Sequence, residues 1–540
     1  MKLTKIMTKK FISLLLFIAP FISTAQEKGL DEKINDWFEP ITAKWEGIVF
    51  WLVPGTGVPL VVFLLVFGAV FFTFYFKLIN IRRFGLAINV VRGKYDEVEG
   101  HGAEKAELNI VDGDIVDTIR DESKEGEVTH FQALATAVSG TVGLGNIAGV
   151  ALAISIGGPG ATFWMVMAGL LSMSTKFVEC TLGVKYRDVG PDGTVYGGPM
   201  YYLTKGMAER GYKNLGKVLA VLFAILCVGA SFGGGNAVQS NQAAEQLASL
   251  MGMQGGHSGT IIGVGIAIVV GFVIIGGIKR IASVTEKVVP FMAVIYILAC
   301  LVVMFAHASY IDDAIALIFR EAFSPSAGLG GFFGVLITGF RRAVFSNEAG
   351  AGSAAIAHSA VKTKYPASEG IVSLLEPFID TVVICTMTAL VIIFYNSDGM
   401  FVYGGDGSGN VIINGVAVGG VNLTSMAFEA VIPWFPYVLT LAVVLFAIST
   451  MISWSYYGLQ SWKFLFGRSK LADITYKLLF IAFIIIGAAA SMKAVFDFSD
   501  AMILALVFPN MIGLLFLFPI VRSELIRYLK AIKVKLTVIK

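Results

Sequence analysis

Long apolar stretches recur along this sequence and leave few folds open to it. The first is Val58–Ile79, and ten more lie at 130–156, 160–185, 217–241, 258–278, 288–308, 331–359, 368–396, 431–462, 474–491 and 499–520. Each is close to the roughly 20 residues that a helix needs to cross a bilayer. Because lipid offers no hydrogen-bond partners, the backbone of such a stretch must pair with itself, as it does in an α-helix. The sequence therefore predicts an all-α protein of the lipid bilayer with about eleven transmembrane helices.

The composition agrees with a membrane protein and argues against several functions. Only 15% of the residues are charged, whereas a soluble domain carries about 25%. The four cysteines form no C-x-x-C pair, and the five histidines lack the spacing of metal ligands. The sequence shows no P-loop, no nucleophile–base set and no repeated filter loop. We therefore expect neither an enzyme nor a channel, no cofactor, no transition-metal site and no nucleic-acid partner.

Lysine and arginine are concentrated in alternate loops, which indicates the orientation of the chain. They follow the first span and occur again after the third, fifth, seventh and ninth spans, whereas loops 242–257 and 397–430 contain none. Arg320 and Lys493 are the exceptions. Because basic loops stay in the cytoplasm, we expect a multi-pass protein of the plasma (inner) membrane. Its basic tail, 521–540, and therefore its C-terminus, would be cytoplasmic.

The segments outside the spans predict a processed N-terminus and one soluble insertion. Residues 1–25 combine lysines with a short apolar run and small residues, which is typical of a Sec signal peptide. The alternative is an uncleaved amphipathic anchor. Cleavage would leave a periplasmic segment, 26–57, before an extra transmembrane helix, 58–79. Residues 94–127 are acidic and predict a cytoplasmic insertion, and the Gly- and Asn-rich stretch 396–416 predicts a small outer β-hairpin.

Glycine and polar residues interrupt two of the apolar stretches near their centres. These are FQALATAVSGTVGLGNIAGVALAISIGGPG at 131–160 and GFFGVLITGFRRAVFSNEAGAGSAAIAHSA at 331–360. With the first span set apart, they head two groups of five spans, 130–308 and 331–520. Because five is odd, the second group enters the membrane from the opposite side. The pattern predicts an inverted repeat whose first and sixth core helices are discontinuous.

Such breaks favour a particular binding chemistry. Unwound carbonyl groups can hold a dehydrated cation, and the exposed N–H groups of a half-helix favour a carboxylate. A zwitterionic amino acid together with Na⁺ matches both. The alternative is that the glycines only allow close helix packing. Ser346, Asn347 and Glu348 favour a functional role, because three adjacent polar groups at the centre of a span are costly.

Six stretches carry a resemblance to a known family. They are VGLGNIAGVALAISIGGPGATFWM from Val142, KFVECTLGVKYRD from Lys176, GGPMYYL from Gly197, GNAVQSN from Gly235, FRRAVFSNEAGAGSAAIAHSA from Phe340 and STMISWSYYG from Ser449. In these the sequence resembles the alanine/glycine:cation symporter family. The resemblance implies a LeuT-type fold of five plus five helices with one added helix. It also implies sodium-driven uptake of a small neutral amino acid, alanine or glycine, by alternating access. A LeuT-type symporter for another small substrate, or one coupled to protons, is the alternative.

The resemblance also implies roles for individual residues. The substrate contacts would be Gly143, Leu144, Gly145, Asn146, Gln239, Ser346, Asn347, Gly350 and Trp454. The cation contacts would be Val142, Ser449 and Thr450. The family commonly has Thr or Ser where this sequence has Leu144, so one hydroxyl is absent from the site.

Several of these residues have a second interpretation. Gln239 could join helices without touching substrate, and the hydroxyls of Ser449 and Thr450 could bond to their own helix. Trp454 could pack against lipid or the protein core.

Two carboxylates also have more than one possible role. Glu348 could act on substrate directly or pair with Arg341 or Arg342, because a buried charge needs a partner. Asp380 could be a coupling group, a proton relay or a satisfied structural partner.

Overall fold

The computed structural model describes residues 30–99, 126–190, 193–253, 256–275, 277–324, 331–404 and 409–533. The predicted signal peptide, 1–25, lies outside these residues, as does most of the predicted insertion, 94–127. Within the described part the chain is mostly helical, with two small two-stranded sheets.

Seven helices of the described part are long and apolar enough to cross a membrane, and a bent pair, His130–Thr141 with Gly145–Gly157, makes an eighth if it is one span. The seven are Gly160–Lys185, Lys213–Met251, Arg280–Ala306, Pro366–Tyr395, Phe435–Phe466, Lys470–Ala489 and Met492–Ala531. Two shorter apolar helices, Leu60–Tyr75 and Ser258–Ile274, coincide with further predicted spans. The predicted span 331–359 is not among the seven, because its helix has only 17 residues before it is interrupted after Asn347. The chain is a multi-pass membrane protein, and the count of eleven spans stays a prediction.

The first half of the described chain contains thirteen α-helices and one small sheet. The helices are α1 (Leu30–Val49), α2 (Leu60–Tyr75), α3 (Ile79–Arg82), α4 (Phe84–Val91), α5 (Asp96–Glu99), α6 (His130–Thr141), α7 (Val150–Gly157), α8 (Gly160–Lys185), α9 (Pro199–Glu209), α10 (Lys213–Phe232), α11 (Val238–Met251), α12 (Ser258–Ile274) and α13 (Gly277–Ala306). The antiparallel strands are β1 (Asp188–Val189) and β2 (Val195–Tyr196).

The second half of the described chain contains eleven α-helices and a second sheet. The helices are α14 (Ile311–Ala322), α15 (Gly331–Asn347), α16 (Ala355–His358), α17 (Pro366–Val372), α18 (Leu375–Pro377), α19 (Thr386–Tyr395), α20 (Gly420–Glu429), α21 (Phe435–Phe466), α22 (Lys470–Ala489), α23 (Met492–Ala505) and α24 (Val507–Ala531). The antiparallel strands are β3 (Asn410–Ile413) and β4 (Val416–Gly419).

Side chains next to the helix ends determine where several helices begin. The Thr129 hydroxyl accepts a hydrogen bond from the Gln132 N–H, and the Gln132 side chain accepts one from the Thr129 N–H. This capping box starts α6. The hydroxyls of Ser469 and Ser491 cap α22 and α23 by accepting from the N–H groups of Ala472 and Ala494, so each satisfies a backbone N–H that the helix leaves open.

The first predicted break is present. Helix α6 ends at Thr141, residues 142–144 are not helical, and a π-helical turn at Gly145–Gly149 leads into α7. The two parts of the span are inclined by 52°. Gly143 and Gly145 therefore lie in or beside the unwound segment, as the sequence predicts.

The second predicted break is also present. Helix α15 ends at Asn347, and Glu348, Gly350 and Gly352 then adopt positive φ angles of 57°, 92° and 84°. Left-handed backbone costs a glycine little, whereas it is uncommon for a residue such as Glu348. The chain resumes a helix only at α16, so the break turns the backbone sharply.

Two further spans contain π-helical turns. One, Gly233–Ala237, separates α10 from α11, and the other, Phe378–Cys385, separates α18 from α19. The second turn directly follows Pro377, which has no N–H for the regular helical ladder. Because π-turns displace side chains from a regular helix face and are frequent at functional sites, both turns draw attention to the residues beside them.

Helix α8 lies at the centre of the bundle and packs against α2, α15 and α17. Glycine makes two of these approaches possible. A Cβ at Gly339 would lie 2.5 Å from Trp164 Cβ, and one at Gly370 would lie 2.0 Å from Thr181 Oγ1. Such close contact between small residues supplies the packing that holds helices together in lipid.

A β-hairpin is present at 410–419 and overlaps the end of the stretch 396–416 in which the sequence predicts one. Strands β3 and β4 pair in a register that places Ile413 opposite Val416. The two residues between them, Asn414 and Gly415, both have positive φ angles, 51° and 80°. An Asn-Gly pair of this kind is the preferred two-residue turn of a hairpin, because its twist matches that of the strands.

Candidate functional site

The first break holds backbone N–H groups that point to side-chain amides. The Gly143 N–H donates to Asn146 Oδ1 over 2.9 Å, and the Leu144 N–H donates to Gln239 Oε1 over 2.9 Å. Gln239 Nε2 donates in turn to the Gly234 carbonyl over 2.8 Å, in the π-turn between α10 and α11. Gln239 therefore joins two helices, as the alternative interpretation holds, and does so at the first break.

The second break is held by Asn347. Its Oδ1 accepts from the Ala349 N–H over 3.0 Å, and its Nδ2 donates to Thr381 Oγ1 over 2.9 Å. The amide thus fixes the turn that follows α15 and attaches it to the π-turn after α18.

Asp380 links the two broken helices. Its Oδ1 accepts from Asn146 Nδ2 over 2.6 Å, and its Oδ2 accepts from Ser346 Oγ and Thr381 Oγ1, each over 2.7 Å. Asn146 belongs to the first break and Ser346 to the end of α15. Asp380 is fully buried, so its carboxylate is satisfied only by these neighbours and is the shared anchor of both breaks.

Glu348 does not pair with Arg341 or Arg342, and that predicted alternative is wrong. Its Oε1 accepts from Trp454 Nε1 over 2.9 Å, and its Oε2 accepts from the Ser353 hydroxyl. The physical reason is the left-handed backbone at Glu348, which lies beyond the end of α15 and no longer shares the helix face of the two arginines.

The two arginines instead form a charged cluster with Asp500 of α23. Arg341 Nε lies 2.7 Å from Asp500 Oδ2, Arg342 contacts the same oxygen, and Arg341 also lies 3.3 Å from Glu46 Oε1. A cavity of about 250 Å³ borders these residues. The sequence alone did not indicate this cluster, because Asp500 lies more than 150 positions from the two arginines in the chain.

The residues predicted to bind the cation lie where α6 meets α21. Thr450 Oγ1 donates to the Ser139 carbonyl over 2.9 Å, and Ser139 Oγ donates to the Ser449 carbonyl over 2.9 Å. The Ser449 hydroxyl bonds to its own helix, at the Phe446 carbonyl, as the alternative interpretation holds. Val142 is buried at the end of α6. Oxygen atoms, which hard cations prefer, are therefore gathered beside the first break.

Trp454 lies inside the protein and touches both breaks. Its Nε1 is 3.2 Å from the Gly140 carbonyl and 2.9 Å from Glu348 Oε1. A Cβ at Gly235 would lie 2.2 Å from Trp454 Cγ, so only glycine leaves room for the indole. The side chain is 1% exposed, which excludes a purely lipid-facing role.

Not every predicted residue belongs to this cluster. Gly145 packs against Phe345 and so stays close to the second broken helix. Gly350 donates instead to Glu179 Oε1 over 2.9 Å, and Asn510 Nδ2 donates to the Gly350 carbonyl over 2.9 Å. Gly350 is therefore attached to α8 and α24. Glu179 and Asn510 were missed from the sequence, although a buried polar residue in an apolar span is a signal for such positions.

The cluster at the breaks is closed to solvent. Eleven of the predicted site residues are at most 3% exposed: Val142, Leu144, Asn146, Gln239, Ser346, Asn347, Glu348, Asp380, Ser449, Thr450 and Trp454. A larger cavity of about 680 Å³ lies elsewhere, beside β3, β4 and α20. A ligand can therefore reach the breaks only if helices move. Among the described residues no group of three or more His, Cys, Asp or Glu side chains is arranged to hold a metal ion.

Two broken spans that meet at a buried polar cluster are the arrangement on which membrane transport proteins build their substrate sites. The family described as "Sodium:alanine symporter family" matches residues 49–539. The "Sodium/alanine symporter AgcS" of Methanococcus maripaludis is 43% identical over 407 residues, 75% of this chain and 85% of that protein. The "Amino-acid carrier protein AlsT" of Bacillus subtilis is 34% identical, over 70% of this chain and 76% of that protein.

A solved structure of MhsT in complex with L-phenylalanine matches 74% of this chain and 99% of that chain, at 15% identity and a TM-score of 0.48. From the family match, the chain belongs to the sodium:alanine symporter family. It is thus a sodium-coupled amino acid symporter and not an enzyme.

Proposed function

We propose that this protein carries a small neutral amino acid, alanine or glycine, into the cell together with Na⁺ by alternating access. The observation that carries the proposal is the meeting of two broken helices at one buried cluster, where Asp380 binds Asn146 and Ser346. Family membership adds the coupling ion and the substrate class. The relative from Methanococcus maripaludis is named for alanine, which supports the choice of the first substrate to test.

The proposed substrate site uses the backbone of the first break. The N–H groups of Gly143 and Leu144 now donate to amide oxygens, and a substrate carboxylate would take the place of those oxygens. Gln239 can accept from the substrate ammonium once it releases Leu144. Asn347 and Trp454 would close the other side, leaving room for a small side chain.

Na⁺ would bind between α6 and α21, where Val142, Ser449 and Thr450 supply oxygens. Leu144 stands where the family commonly has a hydroxyl, so this site offers one polar group fewer to the substrate. That difference favours a substrate with a short apolar side chain, such as alanine, over a hydroxylated one.

The proposed architecture is a LeuT-type inverted repeat, 130–308 and 331–520, preceded by the extra helix 58–79. The corresponding positions of the two breaks support it. The alternate basic loops support a place in the inner membrane, with the segment 26–57 outside and the tail 521–540 in the cytoplasm. Because the cluster at the breaks is closed, movement of the broken helices would admit substrate from one side at a time.

We expect purified protein in liposomes to accumulate radiolabelled alanine under an inward Na⁺ gradient and not under an equal K⁺ gradient. Asn347→Ala should reduce that accumulation strongly, because it removes both hydrogen bonds that hold the second break. A matched control is Asn89→Ala in α4, a half-buried position outside the cluster. Equal loss in both variants would contradict a specific role for Asn347.

The alternative function is a LeuT-type symporter for another small substrate or one driven by protons. If neither alanine nor glycine accumulates under a Na⁺ gradient or an H⁺ gradient, that result would contradict the substrate assignment. Inhibition of Na⁺-driven uptake by a panel of unlabelled amino acids then ranks the remaining candidates. Accumulation under an H⁺ gradient alone would replace the coupling ion while leaving the substrate class in place.

A further inference from the structure

Six buried titratable side chains form a continuous chain that the proposed substrate site does not use. It runs from α5 through α6, α17, α16 and α18 to α8, and its members are Glu99, His130, Glu369, His358, Glu376 and Lys176. We call it the Glu–His chain. All six residues are at most 3% exposed. Ionisable groups at such depth are expensive and usually functional.

Every link in the Glu–His chain is a direct contact. His130 Nε2 lies 2.7 Å from Glu99 Oε2, and its Nδ1 contacts Glu369 Oε2. His358 Nδ1 lies 2.5 Å from Glu369 Oε1, and its Nε2 lies 3.2 Å from Glu376 Oε2. Each imidazole therefore stands between two carboxylates and uses both ring nitrogens.

This alternation suits proton transfer. An imidazole between two carboxylates can receive a proton at one nitrogen and release one at the other, since both nitrogens can carry hydrogen. Each proton transfer covers the length of one hydrogen bond, so it needs no larger movement of a side chain. A chain of ordinary ion pairs between Lys or Arg and carboxylates lacks this property, because those cations have no acceptor atom.

The Lys176 end of the Glu–His chain carries more carboxylates than cations. Lys176 Nζ lies 3.1 Å from Glu376 Oε1, and Glu179 and Glu348 also interact electrostatically with Lys176. Further titratable groups that face this end are Cys180, Asp380 and Tyr457.

The charge of the whole cluster requires additional cations. The Glu–His chain with Glu179 and Glu348 contains five carboxylates but only two imidazoles and one ammonium. Even with all three bases protonated, two negative charges remain uncompensated. Because a buried unpaired charge is strongly unfavourable, the cluster holds extra protons or a cation. The atoms Glu179 Oε2 and Glu376 Oε1 accept no hydrogen bond within the described part, which leaves acceptors for such protons.

The Glu99 end of the Glu–His chain lies beside the basic loops. Glu99 Oε1 accepts from Tyr528 of α24 over 2.7 Å, and Glu99 Oε2 accepts from Thr363 over 2.8 Å. Burial raises the pKa of Glu99, but the hydrogen bonds from His130 and Tyr528 outweigh it and hold that pKa below the usual range. Lys362 and Lys364 follow His358 in the same loop, so this end belongs to the face that the sequence predicts to be cytoplasmic.

The Lys176 end of the Glu–His chain acts electrostatically on the second break. Glu348 interacts electrostatically with Lys176 and accepts a hydrogen bond from Trp454, which also touches the first break. A change in the charge of the Glu–His chain would therefore alter the electrostatic interactions at both broken helices.

We propose that the Glu–His chain conducts protons between Glu99, at the basic-loop face, and Glu376, whose ion pair with Lys176 acts electrostatically on Glu348 at the second break, so that proton exchange accompanies each transport cycle. The inference rests on the proposed function for its coupling to amino acid uptake. The step is a proton transfer between carboxylate oxygens and imidazole nitrogens, with no other bond made or broken.

The first test follows the pH inside proteoliposomes with a trapped dye. Adding alanine outside under an inward Na⁺ gradient should change the internal pH of wild-type vesicles, in proportion to the alanine taken up. His358→Gln and His130→Gln should each lose that pH change, because glutamine cannot pass a proton. The control is His257→Gln, an exposed histidine outside the chain, which should behave as wild type. Alanine binding in the presence of Na⁺ should persist in all three variants.

A second measurement does not depend on transport. Infrared difference spectra of the purified wild-type protein between two pH values should show carboxyl groups that gain or lose a proton, and Glu376→Gln should weaken that signal. Alanine uptake without a pH change would overturn proton coupling while the proposed function stands. If neither alanine nor glycine accumulates, the infrared measurement still tests the Glu–His chain. An absent carboxyl signal would then overturn its role in proton conduction, whereas a carboxyl signal that Glu376→Gln weakens would support it. A pH change that persists in both histidine variants would also overturn it.

Discussion

Replacing Gly143 with alanine is expected to lower alanine uptake by about 5- to 150-fold while the protein remains folded. A Cβ at this position would lie 2.4 Å from Thr450 Oγ1 and 3.0 Å from Gln239 Oε1. Overfilling a packed interior costs about 1–3 kcal/mol, which corresponds to that range in affinity. The atoms displaced here belong to the proposed cation and substrate contacts, so the cost falls on binding. Uptake and equilibrium binding of labelled alanine measure the effect.

The matched control for Gly143 is Gly265→Ala. Gly265 lies in the apolar helix α12, and a Cβ there would meet nothing within 4 Å. Because alanine also favours the helix more than glycine does, this variant should transport as the wild type. Normal uptake in Gly143→Ala would show that the first break does not need the close approach of α11 and α21.

Replacing Asp380 with asparagine should reduce transport at least as strongly, although the two side chains have nearly the same shape. The Asp380 carboxylate accepts hydrogen bonds on both oxygens, from Asn146 on one side and from Ser346 and Thr381 on the other. An amide would place an NH₂ group against at least one of these donors. Asn146 cannot turn over to relieve the conflict, because its oxygen already accepts from the Gly143 N–H. An unsatisfied buried polar group costs about 1–3 kcal/mol, and here it separates the two broken helices.

An exchange of the two side chains tests that explanation. In the double variant Asn146→Asp with Asp380→Asn, the amide at 380 donates to the carboxylate at 146 and still accepts from Ser346 and Thr381. The carboxylate at 146 also still accepts from the Gly143 N–H, but the hydrogen bond from Asn146 Nδ2 to the Asp380 carbonyl is lost. We therefore expect the double variant to recover part of the transport that Asp380→Asn loses, as a positive coupling between contacting residues. A double variant no better than the single one would mean that the negative charge at 380 itself is required.

The positions of the two breaks could be predicted from the sequence because the signal is local. Glycine and adjacent polar residues in an apolar stretch cannot form an ordinary lipid-facing helix, and Gly143 and Asn347 lie where this was expected. The capping residue Thr129 and the Asn414–Gly415 turn are local signals of the same kind. The family resemblance then supplied the candidate roles.

The partners of the buried charges could not be predicted, because they depend on which helices meet. The arginines on the helix that precedes Glu348 are one possible partner by sequence spacing, but the left-handed backbone after Asn347 directs Glu348 to Trp454, 106 positions away. The role of Asp380 was left open for the same reason. Glu99 of the Glu–His chain accepts a hydrogen bond from Tyr528, more than 400 positions away, and no periodicity in the sequence records such contacts.

The most direct test of the central claim is the linkage between Na⁺ and alanine at equilibrium. If both bind at the first break, Na⁺ should raise the affinity for alanine, and alanine must raise the affinity for Na⁺ by the same factor. We expect calorimetric titration of the detergent-solubilised protein to give a factor of about 5 to 150 in both directions, lost in Gly143→Ala and kept in Gly265→Ala. Alanine binding of equal affinity with and without Na⁺ would contradict the account.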